Sequence, residues 1–167
     1  MALRVQGNLK RWRAKRETLI DKLWGRPQAL SAKEIWELTA HGDRIDQIQL
    51  AKTPGLDIQA VRRLWRDDRY GVRIALLDHQ ELPDDLVAEA LCDIHPVVRA
   101  AAQRVAGERH TPFLLVARNL AQPGVLTERE WPTPGELFNA LCDLGLHPPT
   151  GKCGACGQRG DGLPQAG

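Results

Sequence analysis

Three cysteines and a histidine, Cys142, His147, Cys153 and Cys156, follow one another with the spacing C-x4-H-x5-C-x2-C. Thiolates and a neutral imidazole at such intervals can close a tetrahedral site around Zn2+. The small residues of Cys153-Gly154-Ala155-Cys156-Gly157 let backbone amides turn towards the two sulfurs of the knuckle. The other two ligands must come from a helix end and a Pro-rich loop. The same residues could instead stay free thiols in a flexible tail, or serve a redox or iron–sulfur role. Cys142 beside Leu141, like Cys92 beside Leu91, also has the setting of a small core residue.

Other reactive residue types lack reactive spacing. No Gly-rich phosphate loop, G-x-S-x-G or H-E-x-x-H is present, and the histidines fall mostly at turns. Asp84 and Asp85 follow Leu82-Pro83 at a helix start, where acids meet the positive end of the helix dipole. An enzyme is therefore not expected.

The cations offer binding rather than catalysis. Met1 to Arg26 carries eight Lys and Arg against only Glu17 and Asp21, while Glu81, Asp84, Asp85 and Glu89 gather further on. Lys10, Arg11, Arg13, Lys15 and Arg16 are candidates for holding phosphates or an acidic protein surface, with Trp12 among them either stacking on a base or docking the helix. Arg73 and Arg99 each lie six residues after an aspartate, Asp67 and Asp93. Bonded back to it they would fix a turn; with Arg62 and Arg66 they would instead form a ladder able to grip phosphate or carboxylate.

These residues must be positioned by helices. Apolar residues at helical spacing predict a basic amphipathic helix over 8–24 and another over about 32–40, started by the capping box Ser31/Glu34. Short helices follow at about 44–52, 58–66, 70–78, 84–92 and 96–106, between Pro, Gly and Asp punctuation. Thr111-Pro112 and Thr133-Pro134 open two more, over 111–121 and 134–144, the last closed by Gly145. Helices of two or three turns are marginal alone, so they must bury their faces on one another.

The segments 50–73 and 76–99 superpose at an offset of 26 residues: Leu56 falls on Leu82, Val61 on Val87, Asp67 on Asp93 and Val72-Arg73 on Val98-Arg99. Self-similarity at a fixed period marks a unit that stacks on copies of itself. Leu64-Trp65-Arg66-Asp67-Asp68-Arg69-Tyr70-Gly71-Val72-Arg73, then Glu81-Leu82-Pro83-Asp84-Asp85-Leu86 and Leu91-Cys92-Asp93-Ile94-His95-Pro96-Val97-Val98-Arg99, resemble the leucine-rich repeat variant family of HEAT-like helical repeats. The resemblance covers about 48–106, with a degenerate copy reaching back towards Ile35. It implies units that pair an α-helix with a shorter, often 3₁₀, helix in a right-handed superhelix, and it is nearly silent on function.

The expected fold is thus all-α: a short right-handed helical-repeat stack with flanking capping helices, one domain over 1–146, then a Pro/Gly-rich tail over 147–167 with the zinc knuckle. At 167 residues, 43% hydrophobic and net charge +2, the composition is that of a single ordinary folded unit. No run approaches the roughly 18 apolar residues of a membrane span, and Met1 to Gly7 lacks the apolar stretch of a secretory signal, so a cytoplasmic protein is expected. The expected function is a non-catalytic interaction module, an adaptor or subunit that binds a protein partner. The alternative is a nucleic-acid-binding protein that uses the basic helix and the repeat arginines, with a structural zinc.

Overall fold

The computed structural model of the chain describes residues 2–79, 82–122 and 131–160, without the side chains of 2–10 and Gln28. Glu81 of the acidic group and the tail beyond 160 lie outside these residues. The described residues form helices and no strand. None of the helices is long and apolar enough to cross a membrane. The chain divides into two compact units, 1–79 and 80–167.

The first unit holds α1 (Ala2–Gly25), a 3₁₀ turn (Pro27–Ala29), α2 (Ala32–His41), α3 (Arg44–Ala51), α4 (Ile58–Trp65) and α5 (Tyr70–Leu77). Each start has a local cause. Ser31 accepts the Glu34 amide while the Glu34 carboxylate takes the Ser31 amide, the capping box read from sequence. Asp43 and Asp46 build a second one ahead of α3. Asp57 caps α4.

Helix α2 packs on α4 and α3 on α5, around Leu38, Leu50, Leu64 and Leu76, while α1 lies along α3 and buries Leu19 and Leu23. The side chains of α1 that look free in sequence are engaged there. Lys15 pairs with Glu37 and Lys22 with Glu34, both at 2.6 Å, and Arg16 binds Asp46 at 2.7 Å as well as Asp43. Trp12 is half-buried with its ring edge-on to His41, so it docks the helix.

The second unit holds α6 (Asp84–Leu91), α7 (Pro96–Arg109), α8 (Pro112–Leu120) and α9 (Pro134–Asp143). Helix α7 runs three residues past the expected Ala106, ending where His110 turns left-handed at φ 50°. Thr111 and Thr133 cap α8 and α9. Helix α6 packs on α7 and α8, and α8 on α9, with Leu91, Leu114, Leu137 and Leu141 fully buried.

The period of 26 holds in the helices themselves. Helices α2, α4 and α6 start at 32, 58 and 84; α3, α5 and α7 start at 44, 70 and 96. The degenerate copy is therefore a full helix pair. Leu56 and Leu82, Val61 and Val87, and Val72 and Val98 are all buried, as their superposition requires. Asp67 and Asp93 each accept the amide two residues on, from Arg69 and His95. Both helices of each copy are α-helical, which differs from the 3₁₀ partner that the resemblance implied.

Candidate metal centre

The C-terminal end of α9 sets the first ligand position. Gly145 adopts φ +70°, its amide bonds Cys142 O at 2.8 Å, and the Leu146 amide reaches back to Leu141 O at 2.9 Å. This paired closure ends the helix and turns the chain back past Cys142. Cys142 thus faces the loop that carries His147. Beyond it, the knuckle is closed by Gly157 N donating to Cys153 O (2.9 Å) and Cys153 N donating to Gln158 O (2.8 Å), with Gly157 again left-handed at φ +70°.

The four donor atoms so positioned lie within 4.8 Å of one another, close enough to hold a metal ion. Cys142 Sγ is 3.6 Å from Cys156 Sγ and 3.8 Å from His147 Nδ1, and Cys156 Sγ is 3.6 Å from the same nitrogen. A tetrahedron with Zn–S near 2.3 Å and Zn–N near 2.0 Å has edges of about 3.5 to 3.8 Å. Three of the six edges fit these values; the one from Cys142 to Cys153 is shorter, at 2.9 Å. Nδ1 is the imidazole atom directed at the sulfurs.

Burial runs inward from the knuckle, with Cys156 exposed, Cys142 and His147 half-buried and Cys153 buried. Burial alone would push the Cys153 thiol up. Hydrogen bonds from the Cys142 thiol, the amides of Cys156 and Ala155 and the His147 ring outweigh it and bring Cys153 down to about 6. Cys142, donating to Cys153 and partly desolvated, is pushed up to about 12. A divalent cation at the centre would displace the thiol protons. Cys92 is different: it is buried against α6, and desolvation pushes its thiol up to about 12, as befits a core residue.

The loop between His147 and Cys153 docks on the start of α6. Thr150 Oγ1 accepts the Asp84 amide at 3.0 Å. Gly151, at φ +91°, lies so close to Asp85 that a Cβ would overlap its carboxylate. Asp84 is buried and accepts from Arg109 Nη1 and Thr111 Oγ1, each at 3.0 Å. The sequence signalled Asp84 and Asp85 only as helix-start acids. Nothing local marks Thr150 as their partner.

The expected binding arginines each have a setting within their own unit. Arg73 is buried and donates to Asp67 O at 2.7 Å. Arg99 donates to Asp93 O at 2.6 Å and stacks on Trp131, 4.3 Å from the ring centre. Both take the turn-fixing role. Lys15 and Arg16 serve the ion pairs of the first unit; Arg11, Arg13 and Arg66 are exposed and Arg62 is half-buried. The Lys10 side chain lies outside the described residues. Arg63, not singled out by its sequence, covers the Trp36 ring at 5.0 Å. No family model, no curated protein and no solved structure matches the chain.

Proposed function

We propose that the protein is a non-catalytic helical-repeat interaction module, of the HEAT-like kind, that binds a protein partner, and that Cys142, His147, Cys153 and Cys156 hold a structural Zn2+ in its second unit. The observation that carries this is the donor set itself. Three thiolates and one imidazole fill all four tetrahedral positions from the protein, which leaves no open position for a substrate or an activated water. A thiolate-rich set selects Zn2+ over hard cations. The cytoplasm, where such ligands stay reduced, is the setting this reading carries. Ile94, 87% exposed in the turn between α6 and α7, and Val97, 56% exposed in the first turn of α7, give the module apolar surface for a partner.

Nucleic-acid binding by the first unit is the second reading, and charge favours it. Residues 1–79 carry 16 Lys and Arg against 10 Asp and Glu, a net +6, whereas 80–167 carry 7 against 11, a net −4. Metal analysis of the purified protein tests the first reading: one equivalent of zinc, lost in Cys153→Ser, is expected, and none would overturn the site. A DNA and RNA binding titration across a salt series separates the two readings. Reversal of Arg11, Arg13 and Arg66 is the informative variant, because Arg16 is already paired with the buried Asp46. Salt-sensitive binding that this variant abolishes would establish the second reading.

A further inference from the structure

Helix α6 begins badly by its own sequence. Its N-cap position is Pro83, which offers no side-chain acceptor to the first amides. Those amides have no partner within the helix and ordinarily take a Ser, Thr, Asp or Asn cap. The acceptor comes instead from 66 residues away, as Thr150 Oγ1 takes the Asp84 amide at 3.0 Å. Thr150 sits in the six-residue stretch His147–Gly151 plus Lys152 that leads to Cys153, a stretch with no helix of its own.

We infer that this loop is a cap supplied from a distant part of the same chain, and that metal binding at its two ends and the capping of α6 are one coupled equilibrium. The inference rests on the zinc site proposed above. His147 and Cys153 fix the loop at both ends when they share a metal ion, and Gly151 has room for nothing but hydrogen against Asp85. Holding the ends therefore presents Thr150 and Gly151 to Asp84 and Asp85. Asp84 in turn binds Arg109 at the end of α7 and Thr111 at the start of α8, so the state of the loop reaches three helices of the unit. The metal regulates the order of the repeat rather than only closing a tail. Reciprocity requires the converse: removing the cap must weaken the metal, although Thr150 is not a ligand.

The test uses the full chain loaded with zinc. Zinc affinity is measured by competition with a chromophoric chelator, and amide exchange is followed on the peptide that covers 83–91. Thr150→Val is expected to keep one equivalent of zinc, to weaken its affinity about fivefold, the effect of one lost helix cap, and to speed exchange at the start of α6 by a similar factor. Thr150→Ser, which keeps the hydroxyl, is expected to restore both. Removal of zinc from the unchanged protein is expected to speed the same amides. Zinc bound at one equivalent with affinity and exchange unaltered in Thr150→Val overturns the coupling alone. Failure of the unchanged protein to bind zinc overturns the coupling and the metal site together.

Discussion

Arg99 Nη1 lies 2.6 Å from the carbonyl oxygen of Asp93, and one repeat earlier Arg73 Nη1 lies 2.7 Å from that of Asp67. The same guanidinium closes the same turn from the second helix of each copy. The surroundings differ. Arg73 is 9% exposed, whereas Arg99 is half-buried and gains the face of Trp131, whose own Nε1 is bonded to Leu91 O at 2.6 Å.

Substitution by methionine, which keeps an apolar stem and removes the donors, separates these contributions. Arg73→Met is expected to cost about 2 kcal/mol, since it leaves a carbonyl in a half-buried turn without this donor and removes a buried guanidinium. Arg99→Met is expected to cost about 1 kcal/mol, with the stacking on Trp131 the part that Arg99→Lys partly retains. Urea midpoints at unchanged slope measure both. An unaltered midpoint for Arg73→Met would release that residue from the turn and return it to the list of binding arginines.

Acid should weaken the first unit through a defined contact. The Lys22 ammonium, bonded at 2.6 Å to Glu34, and then the amide and hydroxyl of Ser31, hold the Glu34 carboxyl down to about 2 from an ordinary 4.5. A carboxyl whose folded value lies below its unfolded one stabilises fully above the unfolded value and loses that contribution as pH falls towards the folded one. The window is therefore about pH 4.5 down to about 2. Glu34→Gln is expected to be less stable than the unchanged protein at neutral pH, with the difference shrinking across that window. A difference that stays constant from pH 6 to below 3 in chemical denaturation would remove the ion pair as its source.

The parts of the fold legible in sequence are those with local causes. Ser31/Glu34, Thr111-Pro112 and Thr133/Glu136 announce their helices because a cap and its amide are three residues apart. The four donors of the metal centre were legible for a similar reason, as two lie in a C-x-x-C and a third follows a helix end that Gly145 marks. Thr150 against Asp84 and Trp131 against Arg99 were not, because contacts across tens of residues leave no spacing to read. The ion pairs of Lys15 and Arg16 were hidden for a related reason. Glu37, Asp43 and Asp46 sit on or before other helices, so the sequence displays the cations of α1 without their partners. The copy formed by α2 and α3 was legible only as a degenerate one, because stacking asks for volume at positions such as Leu38 and Leu50, and little identity.

The knuckle's first glycine is fixed by an aromatic floor. Gly154 rests on the ring of Phe138, which is buried in α9 and tilted against Phe113 with centroids 6.2 Å apart. A Cβ at Gly154 would come within 2.8 Å of Phe138 Cδ2, closer than real packing allows. Either the ring or the knuckle must then move, and the knuckle carries Cys153 and Cys156. Gly154→Ala is expected to weaken zinc binding about tenfold, in line with the cost of overpacking a filled contact. Ala155→Ser, at an exposed position of the same turn, is expected to change it less than twofold. Phe138→Leu removes the offending edge, so the double variant with Gly154→Ala should bind zinc more tightly than Gly154→Ala alone. Strict additivity of the two substitutions in chelator competition would mean that the ring does not set the height of the knuckle, and that Gly154 is required for its backbone alone.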